Sequence, residues 1–392
     1  MLNFDHYNPT KIVFGKNTIE RLPELISQNT TGKKIMLVYG LGSIHKNGIY
    51  NQVVKALANF ELIEFAGIEA NPEYDTCMRA AKLAKSEQVD FMLAVGGGSV
   101  IDAVKLIVNA VYYEGEPWEV LTNMPGKSFT KALPFGTVLT IPATGSESNT
   151  GSVINRAELK EKRAFGGVLN FPKFSILDPT VMASLPKKQL INGVIDAFTH
   201  TTEQYITYPS TNFLQERQAE AILSTLIEVG PKLINDPSDY ELASNVMWCA
   251  NNALNGHLRL GVPTDWATHM IGHELTALLG VDHAVSLAIV GPRLWENQLN
   301  SKVDKLAQYG SRVWGLNGGV MEIAQQAIKK TEEFFQLLGV DNKLDNYISK
   351  NTLSKIEIAD LISKRFIERN WLALGENKLI TPEIVHQIIM AC

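Results

Sequence analysis

Five of the eight histidines fall between residues 200 and 283, with the spacing of a chemical site. Asp196 and His200 are four residues apart, and so are His269 and His273. Residues i and i+4 share one face of a helix, so each pair presents its donors in one direction. Gly280 is a stop signal for the second helix, and His283 opens the next. Three elements thereby bring nitrogen and oxygen donors towards one point. One carboxylate with three imidazoles suits a divalent transition metal. The neighbours Val194, Ile195, Phe198, Met270 and Ile271 are apolar, so the donors face a sheltered place. An unpaired carboxylate is costly there, and a cation offsets the cost. Separate capping or hydrogen-bonding roles would explain one such histidine better than two spaced pairs and a third element. A zinc peptidase is excluded, because its His-Glu-x-x-His pattern needs a glutamate where this chain has Met270.

A second group of residues is glycine-rich. Val95-Gly96-Gly97-Gly98-Ser99-Val100-Ile101-Asp102 follows a short apolar run. Glycines let backbone N–H groups approach a phosphate, and a helix starting there presents its positive end. Ser99 adds a hydroxyl donor, and Asp102 is expected in the first turn of that helix, where a negative charge suits the dipole. Three consecutive glycines exceed what a plain strand-to-helix turn needs. Gly40-Leu41-Gly42-Ser43 is a weaker signal of the same kind. Thr140 to Asn149, a segment that includes Thr144, sets a cluster of hydroxyls after another apolar run, suited to ribose or phosphate oxygens or to capping a helix. Gly126-Lys127-Ser128 imitates the tail of a P-loop, but Leu121 stands where that pattern requires glycine.

The elements that must hold these groups change character near residue 185. Before it, apolar runs at Lys34 to Tyr39, Asp90 to Val95 and Phe135 to Ile141 end in glycine or proline, as strands buried on both faces do. Helical patterns over Tyr50 to Ala58 and Asp75 to Glu87 lie between them. The alternation predicts a mostly parallel sheet covered by helices, with ligands beyond the strands' carboxyl ends. After it the strand signal fades. Ser184-Leu185-Pro186 reads as a helix N-cap with proline in the first turn. Helices are expected over Leu214 to Glu228, Tyr240 to Asn255, Asp265 to Leu279 and Ser286 to Asn297. The expected organisation is an α/β domain over 1–185 and an all-α domain over 186–392.

The whole chain has the composition expected of a soluble globular protein. It has 392 residues, 45% of them hydrophobic, which excludes general disorder. A net charge of -5 opposes nucleic-acid binding through a broad basic face. Cys77, Cys249 and Cys392 form no disulfide framework or zinc knuckle, so a reducing compartment is expected. No export signal or membrane-length apolar stretch is visible, and a cytoplasmic location is expected.

GGGSVID at 96–102, TIPATGSES at 140–148 and the set Asp196, His200, His269 and His283 resemble the iron-dependent, or group III, alcohol dehydrogenases. The resemblance runs from NPTKIVFG at 8–15 to the C-terminal helices. NGVIDAFTH at 192–200 and GVPTDWATHMIGHELTALLGVDHA at 261–284 are most similar to the branch of butanol dehydrogenases and broad-range NADPH-dependent aldehyde reductases. It implies a dinucleotide-binding α/β domain and a helical domain, with the active site in a cleft between them, as in dehydroquinate-synthase-like proteins, and a homodimer. It implies metal ligation, by iron(II) or zinc, at Asp196, His200, His269 and His283. It places His273 beside the nicotinamide, where it is a candidate to move the proton. Gly97, Gly98, Ser99, Asp102, Thr140, Thr144 and Lys162 match cofactor-binding positions, Asn149 is grouped with them, and Asn71 matches a position near the adenosine.

NAD-preferring members often carry an Asp where this chain has Gly40. Gly40, Gly42 and Ser43 leave room for a 2'-phosphate, and Lys46 could neutralise it, so NADP is expected, with NAD as the alternative. The expected reaction is hydride transfer between this nucleotide and short to medium-chain aliphatic alcohols or aldehydes. Trp266, Asn149, Asn155 and Leu258 are candidates for substrate choice. The alternatives are an NADH-preferring butanol dehydrogenase and a dehydroquinate-synthase-like lyase; the longer motif match opposes the lyase.

Overall fold

The computed structural model describes residues 1–159, 161–348 and 353–392. The chain divides into two compact units. One comprises Tyr7–Pro186 with Pro237–Met247; the other comprises Met1–His6, Lys187–Asp236 and Trp248–Cys392.

Among its described residues the first unit holds eight strands: β1 (Lys11–Phe14), β2 (Lys34–Tyr39), β3 (Glu61–Phe65), β4 (Phe91–Gly97), β5 (Phe135–Ile141), β6 (Ser152–Arg156), β7 (Glu161–Phe165) and β8 (Phe174–Leu177). Six form a sheet in the order β1-β8-β5-β4-β2-β3, with every pairing parallel. The expected runs are β2, β4 and β5 at the centre of the sheet, where side chains on both faces are buried. Strands β1, β3 and β8 carry little signal in the sequence because they are short, and β3 carries Glu61 and Glu64 at the sheet edge. An antiparallel hairpin of β6 and β7 was also not anticipated. Its charged sequence lacks the apolar alternation that marks a half-buried strand.

Helices α1 (Leu22–Ser27), α2 (Ser43–Lys46), α3 (Ile49–Ala56), α4 (Tyr74–Ser86), α5 (Gly98–Ala110) and α6 (Pro117–Leu121) belong to this unit. Strand order reverses between β2 and β4: the chain goes outward to β3, then returns past β2 to β4, β5 and β8. A reversal of this kind opens a ligand crevice at the carboxyl ends of the two strands. Those ends carry Gly40-Gly42 and Gly96-Gly98.

Further along follow α7 (Lys187–Tyr205), α8 (Phe213–Asn235), α9 (Tyr240–Leu254), α10 (Ala267–Leu279), α11 (His283–Asn297), α12 (Leu299–Val313), α13 (Val320–Leu337), α14 (Asp345–Ile348), α15 (Lys355–Glu368) and α16 (Pro382–Ala391). No named strand lies beyond β8 among the described residues. α7 is the spine of the second unit: from Val194 to Tyr205 every residue is buried. A helix buried all round belongs to the centre of a bundle, and α7 packs on both α8 and α11. Gly230 of α8 lies against Val194, and a Cβ there would stand 2.9 Å from the valine Cγ1.

Three expectations at helix starts need correction. Ser184 is not the N-cap of α7: it closes a 3-10 turn over Pro179–Ser184, and its hydroxyl donates to Val181 O at 2.8 Å. Leu185 is extended, as expected of a residue preceding proline. Asp102 is not in the first turn of α5, because Gly97 caps the helix and Gly98 begins it. α10 starts at Ala267 rather than Asp265, whose carboxylate accepts the Ala267 N–H at 2.8 Å. α8 continues through Pro231 to Asn235, and α11 starts at His283. Gly280 ends α10 in the left-handed conformation, at φ 67°.

Candidate functional site

In the helical unit, α7 carries Asp196 and His200, α10 carries His269 and His273, and α11 begins with His283. The Oδ1 atom of Asp196 is the focus. His200 Nε2 and His269 Nε2 each stand 3.5 Å from it, and His283 Nε2 stands 3.7 Å away. One ligand atom from each of Asp196, His200 and His269 lies within 4.8 Å of the other two. The His200 and His269 rings stack with centroids 4.6 Å apart. Asp196 and His200 are 6% exposed at the side chain and His269 is 9%, whereas His283 is 30% exposed.

Buried polar atoms normally find hydrogen-bond partners, yet Asp196 Oδ1 and His269 Nε2 make none. A carboxylate oxygen and an imidazole nitrogen aimed at one small space fit a cation that accepts both lone pairs. An oxygen and nitrogen donor set suits iron(II) or zinc. Burial works to raise the Asp196 carboxyl, but His200, His269 and His283 hold it well below its ordinary range. Burial works to lower His269, but Glu203 and Asp196 push it up to about 9.

His273 sits half-buried on the next turn of α10. Its ring is 4.9 Å from that of His283 and 6.1 Å from that of His269. Trp266, just before α10, lies 5.7 Å from His269 and 6.3 Å from His200, ring to ring. Leu258 is buried at 3% exposure.

Sequence reasoning did not single out Glu203. It reaches from α7 to the Nδ1 side of His269 and to the first backbone N–H groups of α10. A signal was available: Asp196, His200 and Glu203 stand at i, i+4 and i+7, one face of one helix.

In the sheet unit, Gly96 to Gly98 form the turn from β4 into α5. All three glycines have packing reasons as well. An added Cβ at Gly96 would stand 2.5 Å from Val100, at Gly97 3.1 Å from Ile141, and at Gly98 2.4 Å from the Thr144 hydroxyl. The excess of glycine therefore reflects close approach of Val100, Ile141 and Thr144. Ser99 donates to Ala70 O at 2.5 Å. Asp102 accepts from Ser146 Oγ at 2.6 Å and from Val153 N at 2.9 Å, and burial raises its carboxyl.

Thr140 is buried in β5, and the Thr144 hydroxyl accepts the Ser146 N–H at 3.2 Å. Asn149 accepts from Lys105 Nζ at 3.1 Å. Lys105, fully buried in α5, also donates to Ser146 Oγ at 2.7 Å and Gly151 O at 2.6 Å. Burial lowers it to about 8. Its signal in the sequence is a lysine inside the apolar run of α5. Lys162 donates to Asn71 Oδ1 at 3.2 Å, joining positions 91 residues apart. Asn155 of β6 is tied by its side chain to Glu73.

In the turn after β2, Gly42 caps α2 at φ 106°, a conformation that favours glycine. Gly40 is different: a Cβ there would meet nothing nearer than Ile68 O at 3.4 Å. Ser43 opens α2, and Lys46 ends it.

The family description "Iron-containing alcohol dehydrogenase" matches residues 9–179, and "Fe-containing alcohol dehydrogenase family, C-terminal" matches residues 190–381. The chain belongs to the iron-containing alcohol dehydrogenase family. The NADPH-dependent aldehyde reductase YqhD of Escherichia coli is 46% identical over 394 residues, covering 100% of both chains. NADH-dependent butanol dehydrogenase A of Clostridium acetobutylicum is 38% identical, covering 99% of each. The crystal structure of E. coli YqhD superposes with a TM-score of 0.94 at 45% identity, over 100% of this chain and 98% of that one. The NADH-dependent butanol dehydrogenase A structure from Thermotoga maritima gives 0.92 at 33% identity, over 100% and 98%. The two-domain architecture is that of the family, with a parallel-sheet N-terminal part and a helical C-terminal part. The protein is an oxidoreductase acting on alcohols and aldehydes.

Proposed function

We propose that this member of the family reduces short to medium-chain aliphatic aldehydes with NADPH and runs the reverse alcohol oxidation with NADP. The observation that carries the metal dependence is the convergence of three imidazole nitrogens within 3.7 Å of one buried Asp196 oxygen. We assign the cation to Asp196, His200, His269 and His283, with iron(II) or zinc as the ion. When bound, the cation supplies Lewis acidity towards the substrate oxygen and the nicotinamide exchanges hydride with the substrate carbon. His273, half-buried beside His283, supplies the proton to the nascent alcohol and accepts it in the reverse direction. Trp266 lines the donors with an apolar ring and suits an alkyl chain.

The nucleotide is assigned to Gly97, Gly98, Ser99, Asp102, Thr140, Thr144, Asn149 and Lys162, with Asn71 at the adenosine and Gly40, Gly42 and Ser43 at its ribose. The preference for NADPH rests on Gly40. A Cβ there would make only ordinary contacts, and the absence of a carboxylate removes repulsion from a 2'-phosphate. The NADH-dependent butanol dehydrogenases among the relatives favour the second reading, NADH preference. The assigned work divides between 1–185 for nucleotide and 186–392 for metal. A homodimer in the cytoplasm completes the proposal; the three buried cysteines, all free thiols, agree with a reducing compartment.

The test is absorbance of the reduced nicotinamide with butanal, in parallel with NADPH and NADH, before and after chelation. A kcat/KM at least about tenfold higher with NADPH is expected, with loss of turnover on metal removal; tenfold corresponds to about 1.4 kcal/mol. A higher kcat/KM with NADH would replace the nucleotide reading, and full activity without metal would overturn the metal assignment.

A further inference from the structure

Glu203 is 3% exposed, deep in the helical unit, yet it is a carboxylate. Both of its oxygens are committed. Oε1 accepts the Thr268 N–H at 2.8 Å and the His269 N–H at 3.3 Å. These are free N–H groups in the first turn of α10, whose own N-cap, Trp266, offers no side-chain bond. Oε2 contacts Nδ1 of the His269 ring. The opposite ring nitrogen, Nε2, is the one aimed at Asp196, and it has no hydrogen bond.

An ionised carboxylate only accepts, so a bond at Nδ1 requires the proton to sit there. That leaves the Nε2 lone pair directed at the space shared with Asp196 and His200. We propose that Glu203 is a positioning residue for the metal: it fixes the tautomer and ring angle of His269 while anchoring the start of the helix that carries it. The inference rests on the reading of His269 as a ligand. Ring rotation and helix start are tied to one carboxylate on α7, the helix that also supplies Asp196 and His200. Three donors from two helices are thereby held in register.

Glu203→Gln tests the idea, because glutamine keeps the shape but has only one acceptor oxygen. If that oxygen serves the α10 backbone, the amide N–H₂ faces Nδ1 and selects the opposite tautomer, with Nε2 protonated. Zinc affinity of the stripped full chain, measured by competition with a chromophoric chelator, is expected to fall 10- to 100-fold. In zinc-loaded wild type, proton NMR should show a far-downfield Nδ1 proton, assigned by its absence in His269→Ala; Glu203→Gln should lose it or shift it upfield. Zinc affinity within twofold of wild type in Glu203→Gln overturns the proposal. Should that variant fail to fold, the wild-type spectrum decides alone: absence of the downfield Nδ1 proton overturns the proposal equally. His269→Ala separates the two readings. If it binds zinc as wild type does, the ligand assignment fails; if it loses zinc while Glu203→Gln keeps it, only the role of Glu203 fails.

Discussion

Asp196 sets the terms for its neighbours. A buried carboxylate held well below its ordinary range stays ionised and gathers imidazoles around it. His269 lies between that carboxylate and Glu203, so without a cation its ring holds a proton up to about pH 9. A metal must displace the second proton of the doubly protonated ring, the one on Nε2, while Nδ1 keeps its proton towards Glu203. His273 differs. It is on the same helix but half-buried, with its ring 4.9 Å from that of His283. Replacing His273 with alanine is expected to lower kcat by about 100- to 10,000-fold, the range of a lost general acid, while metal content stays near one per chain. Elemental analysis beside steady-state rates checks this, and loss of the metal would instead make His273 a ligand.

Within the sheet unit, the informative element is the turn between β4 and α5. Its glycines leave room for Ile141 and Thr144, and the proposed nucleotide site adds room for a phosphate. Gly98→Ala puts a methyl 2.4 Å from the Thr144 hydroxyl, so Thr144 or the turn must move. Overpacking of this kind costs about 1–3 kcal/mol. The Michaelis constant for NADPH should rise by about tenfold or more, with bound metal unchanged, because the displaced groups are those assigned to the nucleotide. An unaltered Michaelis constant would show that the turn does not meet the nucleotide. Nearby, Lys105 links α5 to the 146–151 segment through Ser146, Asn149 and Gly151. A buried lysine with several acceptors organises a loop rather than offering a free amine.

For the molecule as a whole, a cation bound as proposed would be a cross-link. Asp196 and His200 come from α7, His269 from α10 and His283 from the start of α11. A metal bound only by the folded chain stabilises it by about 4 kcal/mol when its free concentration is 1,000 times the dissociation constant. Chelation should lower the melting temperature, and hydrogen exchange should show the loss of protection centred on α7, α10 and α11, with the β2–β4–β5 strands affected least. Uniform loss across both units would contradict a cross-link confined to these helices. Much of this was legible locally. Helical periodicity alone puts Asp196 with His200 and His269 with His273, and apolar runs ending in glycine mark β2 and β4, because such patterns depend only on near neighbours. Periodicity could not decide whether His269 or His273 turns towards Asp196, since the two share a face; the packing of α10 beside α7 and α11 decided it. Nor could it foresee Glu203 on His269, Lys162 on Asn71 or the β6–β7 hairpin. Those contacts join residues 66 and 91 positions apart, or pair strands too polar to announce themselves, and depend on how the chain folds back on itself.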